Sequence, residues 1–302
     1  MNRSQLFYLA ISSLIFFASC KKDEGLTEEQ SASFMKYYGA ASTGSDMAPT
    51  PDGGFIMVGT ITTGASDDVL LVKTDKYGNQ QWLKTLDGPE ASKDVGNAIV
   101  VTPSGGYAIV GTTISTVFDS VQNVEREFQA GRLIVTDNFG NEIASRNYAI
   151  LDSVASIDIY LNGISMDNTG DNFVIAGRIQ SDLLNVKIGY GLLISSTDYT
   201  QLGVIYCFTE NSKGKILNIE FNDVIHSSNG SYVFVGNTDV NKLSTHKNGN
   251  IWISEYSTLN NTDTAGIGTW NVFGQGEEDG AYSIIENSTG NYVISGICTC
   301  RA

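Results

Sequence analysis

Histidine is almost missing from this chain of 302 residues, which carries only His226 and His246. Neither has a second histidine at ligand spacing, so the usual basis for a zinc site is absent. His226 closes the segment Asp223-Val-Ile-His226 and His246 lies in the polar stretch Leu243 to Gly249, which makes both read as structural or surface residues. Basic residues are also scarce: 18 Lys and Arg stand against 33 Asp and Glu, a formal net charge of −15. That balance argues against nucleic acid and against docking on anionic lipid, both of which need a basic face. The cysteines are Cys20, Cys207, Cys298 and Cys300. Apart from Cys20 they leave at least one thiol unpaired, and Cys298-Thr299-Cys300 has the wrong spacing for a zinc knuckle. Cys207, inside Ile205-Tyr206-Cys207-Phe208, reads as a small buried apolar residue. No EF-hand loop, phosphate-cradling loop or nucleophile elbow occurs. Helical periodicity is missing after residue 34, which leaves an all-β chain with no cofactor or metal expected.

What the chain does contain is one cassette repeated five times: Phe55-Ile-Met-Val-Gly59, Tyr107-Ala-Ile-Val-Gly111, Phe173-Val-Ile-Ala-Gly177, Tyr232-Val-Phe-Val-Gly236 and Tyr292-Val-Ile-Ser-Gly296. The aromatics lie 52, 66, 59 and 60 residues apart, the spacing of supersecondary units. Asn97 to Val101 and Tyr107 to Val110 flank the turn Pro103-Ser-Gly-Gly106, a hairpin with its turn residues in place. Arg132 to Thr136 then leads through Asp137-Asn-Phe-Gly-Asn141 into Glu142 to Arg146, a second hairpin. The same order recurs around Asp75, more loosely around Asp198, and in Asn250 to Ser254 with Thr269 to Phe273. Asp75, Asp137 and Asp198 read as turn formers, because a carboxylate there accepts from nearby backbone amides.

Four-stranded units repeated about an axis are the blades of a β-propeller, which shields most sheet edges. The expected fold is therefore an all-β propeller of four-stranded antiparallel blades over residues 34–302, about five blades with the last incomplete. A glycine after each second strand predicts close backbone approach at that point. Phe34-Met-Lys-Tyr-Tyr-Gly39 matches Trp82-Leu-Lys-Thr-Leu and its glycine, so it is expected as the outermost strand of the last blade. Either the ring closes with an incomplete blade or the chain is a piece of a longer propeller. Asp75, Gly78 and Trp82 resemble the repeat of quinoprotein-like and other bacterial surface propellers. In that family these residues dock one blade on the next, so the resemblance implies a structural role and no cofactor.

Residues 1–19 read as a secretion signal: Arg3 is followed by an apolar run from Leu6 to Phe17, too short to span a bilayer, and then Ala18-Ser19. Phe17-Ala-Ser-Cys20 resembles the lipobox of bacterial lipoproteins, which implies acylation of Cys20. Lys22-Asp23-Glu24 resembles the export signal of Bacteroidota-type surface lipoproteins. Together they imply a tether over residues 20–33 and an outer-membrane, lipid-anchored protein facing the cell exterior. Several acyl chains give lasting attachment, at about 0.8 kcal/mol per buried methylene.

Functional residues concentrate in loops held by a rigid scaffold. The long segments Thr113 to Gly131, Ile179 to Gly189 and Asp239 to Gly249 are expected as loops on one face, with Phe118, Glu125, Arg126 and Phe128 as candidate ligand contacts. Asp119-Ser-Val121, Asp152-Ser-Val154 and Asp263-Thr-Ala265 resemble an O-glycosylation signal of the same bacterial group. The preferred function is a non-catalytic module that binds a glycan, peptide or partner protein. One alternative is a carbohydrate-active hydrolase or lyase, which needs two carboxylates from different blades to converge. Adjacent acids such as Asp67-Asp68 and Glu277-Glu278-Asp279 read as solvated charge. Another alternative is a scaffold of an envelope complex, whose open sheet edge accepts a partner strand.

Overall fold

The computed structural model describes residues 36–39, 41–64, 66–88, 93–119, 124–151, 156–181, 185–210, 214, 216–239, 250–259, 269–273 and 279–298. The secretion signal, Cys20, Lys22, Asp23, Glu24, His246 and Cys300 lie outside them. The chain divides into Met1–Tyr37 and a compact unit, Tyr38–Ala302, that holds every strand among the described residues.

The first sheet runs β1 (Ser42–Pro49), β2 (Phe55–Thr63), β3 (Ser66–Thr74) and β4 (Gln80–Leu86), hydrogen-bonded in chain order. The second repeats that order with β5 (Asp94–Val101), β6 (Tyr107–Asp119), β7 (Val124–Thr136) and β8 (Glu142–Tyr148). In the third, the short β9 (Ile150–Leu151) is added beside β10 (Ser156–Met166), followed by β11 (Asn172–Ser181), β12 (Val186–Ser195) and β13 (Gln201–Cys207). A small ribbon, β14 (Thr209–Glu210) with β15 (Ile216–Leu217), precedes the fourth sheet of β16 (Ile219–His226), β17 (Tyr232–Thr238), β18 (Asn250–Tyr256) and β19 (Thr269–Phe273). The fifth has β20 (Asp279–Glu286) and β21 (Tyr292–Cys298) among the described residues. All pairings are antiparallel. This is the expected propeller, with each cassette on the second strand of its blade.

Successive blades bury their faces on one another, and each interface has its own apolar cluster. Leu71, Ile56 and Val58 meet Ile99 and Ile109 between the first two blades. Leu133 and Val135 meet Leu161 and Ile175 at the next interface. Ile205 and Val174 meet Phe221 and Phe234 at the third, and Val233 and Val235 meet Ile284 at the fourth. A fully buried side chain such as Leu71 contributes about 1.5–3 kcal/mol relative to exposure. Near-continuous apolar strands therefore suit a sheet covered on both faces, as the sequence implied.

The cassette glycine has a specific partner. Every innermost strand carries a bulge at the same place: between Gly44 and Asp46, Gly96 and Ala98, Leu161 and Gly163, Phe221 and Asp223, and Ala281 and Ser283. The extra residue swings the preceding carbonyl over the neighbouring strand. A Cβ added at Gly59, Gly111, Gly177, Gly236 or Gly296 would lie 1.9, 1.7, 2.1, 1.8 or 1.9 Å from the oxygen of Thr43, Val95, Tyr160, Glu220 or Gly280. No side chain fits there.

The bulge also fastens blades together. Asn97 Nδ2 donates to Leu161 O at 2.8 Å, Asn162 Nδ2 to Phe221 O at 2.9 Å and Asn222 Nδ2 to Ala281 O at 2.7 Å, each reaching the next blade. Ser45 and Tyr282 occupy the bulge in the first and last blades. A second set of links joins the turn after one inner strand to the end of the next. The Asn168 amide donates to His226 Nδ1 at 2.9 Å, and the Ser228 amide to Glu286 Oε2 at 2.7 Å. Because Nδ1 accepts, the His226 proton sits on Nε2, 3.2 Å from Gly230 O, and the ring packs on Tyr232. At the corresponding turns of the first two blades stand Pro51 and Pro103, which have no N–H to offer, and the strand ends that follow are apolar, Val101 and Met166. His226 is thus a structural acceptor, as expected.

Three expectations change. Thr113 to Gly131 is no loop: β6 and β7 stay paired out to Asp119 and Val124. Its Thr, Ile and Val residues favour extended backbone and extend the hairpin past the blade. Ile179 to Gly189 likewise extends β11 and β12, while residues 240–249 are outside the described set. Lys36–Gly39 form no strand, and the Tyr38 hydroxyl donates to Gly78 O at 2.6 Å, in the turn between β3 and β4 of the first blade.

Candidate functional site

Two features bring polar groups from different blades together. One lies on the innermost strands, where Asp46 of β1 and Asp223 of β16 follow the bulges of the first and fourth blades. Asp46 is exposed and Asp223 half-buried; the strands crowded around them strip water from both carboxyls and raise them above the ordinary range, with the Asp46 charge the smallest contribution at Asp223. Their oxygens are already engaged. Asp46 accepts from the amides of Met47 at 2.7 Å and Ile99 at 3.0 Å, and Asp223 from those of Val224 at 2.8 Å and Ile284 at 2.9 Å. Ile99 and Ile284 belong to the following blades, so each aspartate joins neighbours in the manner of the bulge asparagines.

The other feature is a cleft of about 650 Å³ between the first and second blades, lined by Thr50, Pro51, Asp52, Lys73, Gln81, Trp82, Gly105, Tyr107, Asn138 and Phe139. It opens on the face that carries the tight turns β1–β2, β3–β4 and β7–β8. Lys73 and Trp82 are cross-strand partners, which puts their side chains on one face of the first blade. Trp82 packs toward Tyr107, with centroids 6.1 Å apart, and a Cβ added at Gly140 would lie 2.8 Å from its ring. The tryptophan thereby docks the first blade on the second blade's Asp137 turn and leaves part of its ring on the cleft wall. Phe139, 64% exposed, forms the rim.

Electrostatics of the cleft follow from one buried cation. Lys73 is 5% exposed and its ammonium donates to Asp52 Oδ2 at 2.8 Å, Thr74 O at 2.9 Å and Gln81 Oε1 at 3.1 Å. Three donors meet three acceptors, so the charge is internally satisfied. The Lys73 bond, followed by the bond from Thr50, holds the Asp52 carboxyl down at about 2. Burial raises the Tyr107 hydroxyl, and the charges of Asp52 and Asp137 add to the rise.

The turn aspartates behave as expected: Asp75 accepts from the amides of Tyr77 and Asn79, Asp137 from those of Phe139 and Asn141, and Asp198 from that of Thr200. Cys207 is buried and free, and burial pushes its thiol up to about 11. The four candidate ligand contacts sit on the extended β6–β7 hairpin, at the opposite end of the blade from the cleft. Phe118 pairs in register with Glu125, and its side chain lies outside the described set. Glu125 is exposed, Arg126 is half-buried and Phe128 is packed away at 7% exposure. Two acids expected as solvated charge are not: Asp68, which accepts from Thr63 as Asp67 does from Thr62 across their hairpin, and Asp279 are both buried, while Glu277 and Glu278 lie outside the described residues. No group of metal-ligating side chains occurs among the described residues. Reading the sequence missed the cleft, whose one local sign is Lys73 interrupting the apolar run Val69-Leu-Leu-Val72.

No protein-family model matches this chain, and no curated protein matches it. Among solved structures it is similar to an endo-arabinase from Bacteroides thetaiotaomicron, at 10% identity and a TM-score of 0.43 over 81% of this chain and 84% of that one. It is also similar to an exo-1,5-alpha-L-arabinanase from a bovine ruminal metagenomic library, at 11% identity and a TM-score of 0.42 over 87% and 90%. Overlaps this loose carry neither ligand nor reaction across.

Proposed function

We propose that this chain is a lipid-anchored surface propeller that binds a glycan in the cleft between its first and second blades and does no chemistry on it. The cleft itself carries the reading: the rings of Trp82 and Phe139, backed by the buried Tyr107, beside the polar groups of Thr50, Asp52, Gln81 and Asn138. Aromatic faces suit the C–H faces of sugar rings, while carboxylate, amide and hydroxyl groups suit their hydroxyls. The volume lies within the ~300–1,000 Å³ of ordinary small-molecule sites. Titration of a glycan panel against the full chain in detergent tests this, with Trp82→Ala as the control that removes the wall. Binding by no glycan, or binding that Trp82→Ala leaves intact, defeats it; a peptide ligand or partner protein on the same cleft is the outcome that redirects it.

Anchoring through Cys20 predicts that labelled palmitate enters the wild-type chain and not Cys20→Ala, and that external protease cleaves the protein on intact cells. A second reading, hydrolysis or eliminative cleavage of a carbohydrate, draws on Asp46 and Asp223, two raised carboxyls on the innermost strands of different blades. It expects catalytic turnover of a polysaccharide that Asp223→Asn abolishes while the fold persists. The amide bonds on both carboxylates favour a fastening role over that chemistry.

A further inference from the structure

We propose that the cleft selects uncharged oligosaccharides and rejects acidic ones, with Asp52 as the discriminating residue and Phe139 as an outer stacking ring. This rests on the glycan reading above. Recognition of a uronic acid or a sulfated sugar needs an unspent cation or a set of free amide donors at the site. Lys73 is the one cation lining the cleft, and its three hydrogens are taken by Asp52, Thr74 and Gln81. To turn toward an anion it must abandon a buried carbonyl and a carboxylate. Lys84, on the neighbouring strand, is bonded to Asn141.

Negative charge, by contrast, faces the ligand. The Asp52 side chain is 52% exposed even while paired, and its other oxygen serves the turn by accepting from the Thr50 hydroxyl and the Gly54 amide. The fields of Asp52 and Asp137 both reach Tyr107 on the cleft wall. An incoming carboxylate therefore meets like charge, and the amides of Gln81 and Asn138 on the wall offer it neutral donors without a compensating positive charge. An uncharged sugar meets acceptors for its hydroxyls and ring faces for its carbons. Phe139 lies in the Asp137 turn and holds its ring 64% exposed at the rim of the cleft. Its place beside an open cleft gives room for more than one sugar ring.

The probes are xylohexaose, mannohexaose and arabinohexaose against hexagalacturonate, titrated calorimetrically into the full chain in detergent at 0.05 M and at 1 M salt. At low salt, an uncharged hexasaccharide binds at least about tenfold more tightly than hexagalacturonate, the ratio for one unfavourable unit charge at partly screened separation. In 1 M salt the gap narrows, because the Debye length shrinks to about 3 Å. Asp52→Asn keeps an acceptor oxygen for Thr50 and Gly54 while removing the charge, and it narrows the gap at low salt. Phe139→Ala weakens the uncharged hexasaccharide about 3- to 10-fold, the worth of one stacking contact, with an unchanged melting midpoint. Hexagalacturonate binding as tightly as the uncharged probes, or a gap indifferent to salt, overturns the selectivity and leaves the glycan reading standing. Binding by none of the four probes counts against both.

Discussion

Replacing Gly111 by alanine puts the recurring glycine to a quantitative test. The new Cβ would sit 1.7 Å from the Val95 carbonyl oxygen, where a carbon–oxygen contact needs about 3.3 Å. Strands β5 and β6 must therefore part by about 1.5 Å at the bulge if nothing else gives way. Retreat of β5 is blocked from behind, because a Cβ added at Gly96 would already lie 2.6 Å from Val58 and 2.8 Å from Gly59 O of the first blade. Overpacking of this kind costs about 1–3 kcal/mol. Two strained ladder bonds beside Gly111 add about 1 kcal/mol each. The expected loss is about 3–5 kcal/mol, or roughly 10 °C in melting midpoint for a chain of this size. Gly53→Ala is the matched control: its φ is +82° and a Cβ there meets nothing within 4 Å, so it bears only the left-handed backbone cost of about 1–2 kcal/mol. Urea unfolding of both variants decides the matter. If Gly111→Ala is no less stable than Gly53→Ala, the carbonyl overhang is not why the cassette ends in glycine.

Other perturbations separate the remaining devices. Asn162→Ala removes the bond to Phe221 O between the third and fourth blades and should cost about 1–3 kcal/mol by urea titration, since a half-buried carbonyl loses its donor. Trp82→Ala should cost about 2–3 kcal/mol by the same assay, less than a fully buried aromatic because one edge of its ring faces the cleft. Asp223 has a raised carboxyl, so the folded state holds that proton more tightly than the unfolded one, whose value is near 3.8. Its contribution to stability is greatest below that value and is lost as pH rises through the folded one, so the stability of wild type relative to Asp223→Asn should fall from pH ~4 upward. Asp52 runs the other way: depressed to about 2, it supports the fold above its unfolded value and loses that support as pH falls toward 2. Its exposure keeps the effect to about 1 kcal/mol or less, and Asp52→Asn should flatten the acid limb of the stability curve accordingly.

Strand positions and the blade repeat were legible because local chemistry encodes them. Turn residues such as Asp75 and Asp137 bond their own neighbouring amides, and apolar runs such as Ala108 to Val110 can only be buried on both faces. Between Thr113 and Gly131 the β-branched residues favour a ribbon in place of the expected loop, but only the cross-strand pairing of β6 and β7 fixes its extent. Blade-to-blade fasteners were hidden for a different reason. Asn97 and Leu161, or Asp223 and Ile284, lie about a blade apart in sequence, and nothing in either segment names its partner.

The amino-acid sequence by itself determined the all-β class, the five cassettes and the need for glycine at their ends, since these depend on residues within one hairpin. Only the tertiary structure decided that a bulge carbonyl is what the glycine admits, that Lys73 is consumed by its own neighbours, and that a cleft between the first two blades opens on the tight-turn face. Each of those outcomes depends on which atoms of separate strands or blades come within bonding distance, and that is set by packing across the interfaces.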